Sequence, residues 1–379
     1  MPKRMIGLGV VEAAIKRIEI LYKNPLDRVV IAVSGGKDST VLMELCYMVA
    51  ERLGRLPIEV MTRDDEIMFP GTFEYLERVA KRPGIKMHWI TQRQPVINIF
   101  NRESPYFWVF DPLMSPTNWV RQPPSFVEYR QENAAELIIT DKYFPPQEGG
   151  TLYHVKGLRC SESRSRSFGL MGSGDFITRH KHQGALHARP IYDTKDGDIW
   201  KIIKDFKFDF NSAYSVMNRL GLPRHKNRIA PPTQVTAAVQ GLQLAAKAWP
   251  RWFDKVCERC PGARLAANFG LRAVKPLRRQ GETWAETYER VCVREAPTWI
   301  SERSVVIRDK IMKLHRKHST TDFPQRQRCH ECMPCGSWYD MAALAYNGDP
   351  FAMKQKMVPL LHPEFFRKGA GRWDGKPGI

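Results

Sequence analysis

The stretch Ser34–Thr40 reads SGGKDST and follows the short apolar, β-branched run RVVIAV at residues 28–33. Behind it, residues 41–48 read VLMELCYM, which has the apolar density of a helix packed on a sheet. The heptapeptide is therefore predicted to lie at a strand-to-helix junction. Gly35 and Gly36 allow the backbone to approach an anion closely, and the first-turn N–H groups of the helix attract it. The stretch predicts a phosphate site.

The other residues of this loop fit the same chemistry. Lys37 supplies a positive charge, whereas Asp38 is unfavourable beside a phosphate unless a cation such as Mg²⁺ lies between them. We predict that Lys37 and Asp38 are catalytic. Nucleotide contacts are predicted for Ser34, Gly35, Gly36, Ser39 and Thr40. The alternative is a Gly-Gly turn capped by a serine, with Lys37 and Asp38 solvated.

The loop spacing differs from the Walker pattern, which has four residues between its first glycine and Gly-Lys-Ser/Thr. SGGKDST instead resembles the PP-loop of the ATP pyrophosphatases. That resemblance implies that the loop holds pyrophosphate, that Mg-ATP is cleaved between its α- and β-phosphates, and that an acceptor oxygen is adenylated.

Length and composition set limits on the class of protein. With 379 residues, 43% hydrophobic and 26% charged, the chain can bury a full core. It has no run of about 18 apolar residues, and MPKR leads into an amphipathic segment rather than a signal peptide. We therefore expect a cytoplasmic protein. Eight cysteines are too sparse for a secreted disulfide scaffold.

The net charge of +19 is unevenly distributed. Residues 1–150 hold 19 Lys+Arg and 19 Asp+Glu, so residues 151–379 hold 40 and 21 and carry the whole excess. This basic part is expected to meet nucleic acid, an anionic substrate or an acidic partner protein; the alternative is a solubilising surface.

Strand and helix patterns alternate through about residue 225, with one helix predicted at 125–139 and a long insertion at 92–124. They predict an α/β fold with a doubly wound, mostly parallel sheet. From Pro231 the chain reads mostly helical. Three segments are expected: a PP-loop domain at 1–228, a basic helical cysteine-containing domain at 229–366, and a flexible tail at 367–379.

A second motif, VKGLRCSESRSR, spans residues 155–166. A strand end followed by glycine and arginines places guanidinium groups near the carboxyl edge of the sheet, where α/β proteins bind ligands. The alternative is a basic helix N-terminus on the surface. GLRCSESRSR resembles the substrate-binding stretch of the phosphoadenosine phosphosulfate reductase family. The resemblance implies nucleotide contacts at Gly157, Arg159 and Arg166 and a catalytic role for Arg164.

Weaker matches extend this resemblance, among them PIYD at residues 190–193 and Tyr214. They are similar to a subgroup that includes the immunoglobulin-binding regulator A proteins. This implies an adenine nucleotide alpha hydrolase-like fold and a sulfur-donor or ParB-like partner protein. Asp64, after the second strand, occupies a place where relatives position an acidic group near the nucleotide; the alternative is a solvated acidic turn.

The sequence departs from true sulfonucleotide reductases. Those enzymes usually have a degenerate loop and attack sulfur with a cysteine in a C-terminal Glu-Cys-Gly-Leu-His tail, whereas this chain has no cysteine after Cys335. The intact loop favours ATP as a reactant. We predict adenylation of an acceptor in sulfur transfer or nucleic-acid modification. Alternatives are a sulfonucleotide reductase and a nucleotide-sensing regulator that binds nucleic acid.

CHECMPC at residues 329–335 has the Cys-x2-Cys-x2-Cys spacing of iron–sulfur ligands. A further pair, CERC at residues 257–260, could complete a 4Fe-4S site or form a four-cysteine Zn²⁺ site. The alternative is chance clustering of buried cysteines. The predicted ligands are Cys257, Cys260, Cys329, Cys332 and Cys335. An iron–sulfur cluster is favoured over zinc because relatives that move sulfur onto nucleic acids use such clusters.

Overall fold

The computed structural model describes residues 7–92, 95–130, 142–162, 167, 175–179, 184–223, 227–229, 232–233, 238–331 and 336–347. The chain divides into two compact units, Met1–Gln92 with Gln122–Ala230 and Arg93–Arg121 with Pro231–Ile379. Within the described residues, every helix is too short or too polar to cross a membrane.

Nine strands are described: β1 (Arg28–Ala32), β2 (Ile58–Arg63), β3 (Ile85–Gln92), β4 (Pro95–Ile97), β5 (Tyr106–Trp108), β6 (Glu128–Arg130), β7 (Leu152–Lys156), β8 (Ile177–Arg179) and β9 (Leu186–Ala188). Seven of them form the sheet of the first unit, in the order β6-β3-β2-β1-β7-β9-β8. All neighbours in this sheet are parallel except β8 and β9. The predicted α/β class with a mostly parallel sheet is confirmed.

Helices of the first unit pack on this sheet. They are α1 (Val10–Tyr22), α2 (Lys37–Arg52), α3 (Thr72–Ala80), α4 (Asp196–Asp205) and α5 (Ala213–Arg219). Strand β1 and the first four helices contribute to one apolar core, which includes Ile31, Leu42 and Ile199, all fully buried. The β-branched run of β1 occupies a central position in this sheet because it pairs with β2 on one side and β7 on the other.

The prediction of a helix at 125–139 is wrong for the first residues of that range. Residues 128–130 form β6 and pair with the end of β3, and residues 131–141 lie outside the described part of the chain. The short strands β8 and β9 were not anticipated. Three-residue strands lack the length over which an alternating apolar pattern can be recognised.

The second unit contains the β4–β5 hairpin and six α-helices among the described residues: α6 (Ala238–Ala248), α7 (Pro250–Arg259), α8 (Ala263–Phe269), α9 (Trp284–Tyr288), α10 (Thr298–His318) and α11 (Trp338–Ala345). One of its cores joins α9, α10 and α11 through Tyr288, Ile307 and Met341. The predicted insertion at 92–124 falls largely in this unit. The predicted boundaries near 228 and 366 stay predictions.

Candidate nucleotide-binding site

The loop lies at the predicted strand-to-helix junction. Strand β1 ends at Ala32, and α2 begins at Lys37 with Gly36 as its N-cap. Gly35 has φ +73°, and a Cβ there would lie 2.6 Å from Thr72 Cγ2. Both the left-handed backbone and the close approach of Thr72 therefore require glycine at this position. The first amides of α2 are consequently presented at the carboxyl edge of the sheet.

Two cations and two carboxylates alternate beside this loop. Lys37 Nζ lies 3.3 Å from Asp38 Oδ2 and 3.1 Å from Asp196 Oδ1. Arg159 Nε lies 2.7 Å from Asp38 Oδ1, and its guanidinium also reaches Asp196 at 3.4 Å. Lys37 and Arg159 are 6% and 4% exposed. Because two buried cations share two carboxylates, an anionic ligand at this point would compete with Asp38 and Asp196 for them.

Gly157 brings the second motif against the loop. A Cβ on Gly157 would lie 2.9 Å from the backbone carbonyl of Asp38 and from the nitrogen of Ser39. The end of β7 therefore packs directly on the first turn of α2, which places Arg159 beside Asp38. Arg164 and Arg166, the other predicted arginines, lie outside the described residues.

The hydroxyl groups of Ser34 and Ser39 have partners within the loop. Ser34 N donates to Ser39 Oγ at 3.2 Å, and Ser39 Oγ donates to the carbonyl of Gly36 at 2.9 Å. Thr40 is fully buried. In this conformation Ser39 closes the loop on itself, so a phosphate contact by Ser39 would replace that hydrogen bond.

Asp64 is buried rather than part of a solvated turn, so that alternative is wrong. Its side chain accepts hydrogen bonds from Trp89 Nε1 at 2.9 Å and from the backbone nitrogen of Glu66 at 2.8 Å. Glu66 has φ +65°, and the bond to Asp64 holds this turn after β2. In this state the carboxylate supports the turn, and a nucleotide contact by Asp64 stays a prediction.

Three further residues of the site were not singled out as site residues by their sequence patterns. Asp196 stands in the first turn of α4 and reaches both cations. Asn211 Nδ2 donates to the carbonyl of Gly35 at 3.2 Å and to Thr72 Oγ1 at 2.7 Å. The backbone nitrogen of Lys37 donates to the hydroxyl of Tyr214 at 3.0 Å. The only signal for these residues was the downstream family resemblance, which included Tyr214.

The phenol of Tyr214 is held neutral. Burial raises the pKa of Tyr214 well above its ordinary value, and the nearby charges of Asp38 and Asp196 add to that shift, against the hydrogen bond from the backbone of Lys37. A neutral hydroxyl can both accept from Lys37 N and donate elsewhere. Tyr214 therefore fixes the first turn of α2 without adding charge to the site.

A second polar cluster lies on β7 and β9. Lys156 Nζ lies 3.3 Å from His187 Nδ1, and the rings of His154 and His187 meet edge to face at 5.1 Å. Burial and the charge of Arg189 lower the pKa of Lys156 to about 8. Burial, with the charges of Lys156 and His187, lowers the pKa of His154 to about 2. His154 is therefore neutral, and a fraction of Lys156 is neutral near pH 8.

The predicted cysteine ligands are only partly described. Cys332 and Cys335 lie outside the described residues. Cys257 and Cys260 lie at the end of α7, and Cys329 is buried in the core formed by α9, α10 and α11. Burial raises the pKa of Cys257. Among the described residues no group of three or more ligating side chains is arranged to hold a metal, so the cysteine centre stays a prediction.

Known proteins resemble this chain over different ranges. Residues 28–111 match the family model of the phosphoadenosine phosphosulfate reductase domain. The chain is 25% identical over 280 residues to the uncharacterized protein YbdN of Escherichia coli (strain K12), covering 68% of this chain and 67% of that protein. It is 20% identical over 204 residues to the adenosine 5'-phosphosulfate reductase of Staphylococcus haemolyticus (strain JCSC1435), covering 54% and 72%. The phosphoadenylyl-sulfate reductase of Candida auris superposes with a TM-score of 0.31 and 12% identity, covering 56% and 86%.

Proposed function

Because residues 28–111 belong to the phosphoadenosine phosphosulfate reductase domain family, as the sequence predicted, we propose that this chain is an ATP pyrophosphatase that adenylates an acceptor. It would convert ATP into an adenylylated acceptor and pyrophosphate. The observation that carries this proposal is the network of Lys37, Asp38, Arg159 and Asp196 around the PP-loop. The finer resemblance to immunoglobulin-binding regulator A stays a prediction.

The charges of this network suit pyrophosphate as a leaving group. An acceptor oxygen would attack the α-phosphorus, and the bond from that phosphorus to the bridging oxygen would break. The electron pair and the negative charge then go to pyrophosphate, while the acceptor gives up its proton. Lys37 and the first amides of α2 would stabilise the charge on the leaving group, and Arg159 would hold the phosphate chain.

The carboxylates of the network fit a hard cation. Asp38 and Asp196 both lie within 3.3 Å of Lys37 Nζ, and carboxylate oxygens are the protein ligands that Mg²⁺ prefers. Asp38 and Asp196 are therefore the residues that would hold Mg²⁺ beside the loop. When bound, Mg²⁺ supplies positive charge against the phosphates.

We propose that the adenylated acceptor takes part in sulfur transfer or nucleic-acid modification, and that the reaction occurs in the cytoplasm. The support is the excess of 19 positive charges in residues 151–379, which suits an anionic substrate. A sulfur-donor or ParB-like partner protein is part of the same proposal. Adenylation would activate an oxygen of the acceptor. A sulfur nucleophile could then attack the acceptor, and that oxygen would leave as part of AMP.

Reduction of a sulfonucleotide is the second candidate, because one relative is an adenosine 5'-phosphosulfate reductase. Such a reaction needs a thiolate that attacks sulfur. Burial raises the pKa of Cys46, Cys160 and Cys292, which disfavours their thiolate forms. This favours the ATP reaction, and thiol-dependent release of sulfite from adenylyl sulfate would reverse the preference.

The test is turnover of α-³²P-labelled ATP to AMP with parallel measurement of pyrophosphate. Lys37→Ala should lower turnover by about 10²-fold or more, because it removes a cation that faces the leaving group. Glu51→Gln is the matched control, since Glu51 is exposed on the same helix. ATP binding without pyrophosphate release by the wild-type protein would favour the nucleotide-sensing regulator instead.

A further inference from the structure

A group of apolar side chains is exposed on α8, on the following 3-10 helix, Gly270–Val274, and just after that helix. The most exposed large hydrophobic side chain among the described residues is Phe269, at 61%. Leu265, Leu271 and Leu277 are 53%, 38% and 55% exposed. Exposed apolar groups concentrated in one short stretch indicate an interaction surface rather than scattered surface residues.

The same stretch is basic throughout. Residues 259–281 contain six Lys+Arg and no Asp or Glu. Arg272, Lys275 and Arg278 are exposed, and no described carboxylate lies within salt-bridge distance of them. The other three differ: Arg264 pairs with Asp254 at 2.7 Å, Arg279 pairs with Glu295 at 3.3 Å, and Arg259 is buried. We define the α8 surface as Leu265, Phe269, Leu271, Arg272, Lys275, Leu277 and Arg278.

The backbone beneath the α8 surface is anchored. Ala263 and Ala266 are fully buried, and Val274 is 2% exposed. A Cβ on Gly262 would lie 2.4 Å from the carbonyl oxygen of Phe100, so the start of α8 packs closely on another part of this unit. The guanidinium of Arg290 donates to the carbonyl of Leu277 at 2.9 Å. The exposed side chains therefore extend from a fixed support.

We propose that the α8 surface binds single-stranded nucleic acid. Phe269 is exposed, and the exposed cations follow it within nine residues of the chain. Proteins hold single strands with such a combination, since bases stack on the ring while the cations contact phosphates. Arginine suits this role because its planar guanidinium both stacks and donates to phosphate in pairs. In a duplex the bases stack on each other and are not available to Phe269.

Two other anionic partners fit the geometry less well. A membrane-surface helix presents one long apolar face, whereas α8 has seven residues and the other cations lie beyond its end. An acidic protein would satisfy the charges, but it would not require the aromatic ring. This inference deepens the nucleic-acid part of the proposed function, while binding at the α8 surface requires no ATP.

The test measures fluorescence anisotropy of the full chain with a fluorescein-labelled 20-nucleotide oligo(dT), the corresponding oligo(U), and a duplex of the same length, without ATP. Phe269→Ala should weaken binding of the single strands by about 5- to 100-fold, the usual effect of removing one stacking partner. Replacing Arg272, Lys275 and Arg278 together by Gln should flatten the salt dependence of binding by about two units, because three phosphate contacts are lost.

Matched controls separate this surface from general effects. Leu113→Ala removes a 58%-exposed apolar side chain elsewhere in the same unit and should leave binding unchanged. A triple Gln variant of the exposed Lys23, Lys81 and Lys204 makes the same change in charge and should keep the salt slope. The proposal would be overturned if Phe269→Ala bound single strands as tightly as the wild type does. It would also be overturned if the wild type bound duplex as tightly as single strands.

Binding to phosphatidylserine vesicles or polyglutamate, with no binding to either oligonucleotide, would also overturn it. Pyrophosphate release is measured on the same preparations. If the wild-type protein released no pyrophosphate, that result would count against the ATP reaction but not against the α8 surface. Intact release with absent oligonucleotide binding would count against the surface alone.

Discussion

Gly157 joins two motifs that are more than a hundred residues apart in the sequence. Lys156 pairs with Ala32 across β7 and β1, and the next residue meets the first turn of α2. A side chain at 157 would occupy the space of the Asp38 backbone. The absence of a Cβ is therefore what allows Arg159 to reach Asp38, and no other residue type satisfies this contact without a backbone shift.

Gly157→Ala should lower the free energy of unfolding by about 1–3 kcal/mol, the usual cost of forcing an extra methyl group into packed structure. It should also lower ATP turnover, because Arg159 would move from Asp38. Gly197→Ala is the control, because a Cβ there meets nothing within 4 Å and alanine is a better helix former than glycine. Equal free energies of unfolding for the two variants, measured in urea, would contradict the close packing inferred at Gly157.

Tyr214 acts on the loop through one hydrogen bond. Its hydroxyl accepts from the backbone nitrogen of Lys37, which is one of the first-turn amides that α2 cannot satisfy internally. Tyr22 differs, since its buried hydroxyl has no hydrogen-bond partner within the part of the chain that the structure describes. The two phenols thus differ in function although both are buried.

Tyr214→Phe should destabilise the protein by about 1 kcal/mol, because a buried amide loses its acceptor. Turnover of ATP should fall as well, since the first turn of α2 is less fixed. Tyr22→Phe should be neutral or slightly stabilising by the same reasoning. Thermal unfolding and AMP production would test both variants, and a neutral Tyr214→Phe would refute the proposed contact.

Strands β1, β2, β3 and β6 are linked by a row of charges as well as by their backbones. Arg28 donates to Glu59 at 2.7 Å, and His88 contacts Glu59 at 2.9 Å and Glu128 at 2.8 Å through its two ring nitrogens. With a carboxylate at each nitrogen, the imidazole is favoured in its charged form. Burial lowers the pKa of His88, but these hydrogen bonds outweigh it and raise the pKa above its ordinary value.

The row of charges predicts an acid-sensitive sheet. Burial raises the pKa of Glu59, but hydrogen bonds from His88 and Arg28 outweigh it and hold the pKa at about 2. A lowered pKa stabilises the fold above the unfolded value of about 4.3, and this stabilisation is lost as the pH falls towards the folded value. The raised pKa of His88 acts oppositely, so its contribution is lost as the pH rises through its folded pKa.

Glu59→Gln should therefore cost more stability at pH 6 than at pH 3. The difference should be on the order of 1 kcal/mol once partial exposure is allowed for. Urea unfolding of both proteins at the two pH values measures it. Glu51→Gln, at an exposed position of α2, should show no such change, and a pH-independent effect of Glu59→Gln would disprove the coupling.

The main strands and helices were predictable because their residues carry the pattern locally. Strand β1 covers all but the last residue of the run at 28–33, and the apolar stretch at 41–48 lies within α2. Strand β6 was missed because Glu128, Tyr129 and Arg130 show no apolar alternation, and only pairing with β3 makes them a strand. The charged row across the sheet depends on the same pairing, so it could not be read from any single segment.

At the scale of the whole molecule, the nucleotide-binding site was predictable only where its residues lie in one short motif. Lys37, Asp38 and Arg159 lie in compact motifs, and the structure brings them together. Asp196 and Asn211 come from separate helical starts, where such residues are usually caps. Their role follows only from the topology of the first unit, which brings residues 34–38, 157–159 and 196–214 to the same edge of the sheet.

The second unit is predicted to contain metal, because five cysteines fall in Cys-x2-Cys spacings. Protein purified without oxygen should hold about one equivalent of zinc, or iron with acid-labile sulfide. Cys332→Ala should lower both the metal content and the melting temperature, because metal binding and folding are coupled. Cys46→Ala, in the buried core of α2, should lower only the melting temperature. Visible thiolate-to-iron absorbance would identify iron, and a metal-free, fully folded preparation would contradict the cysteine centre.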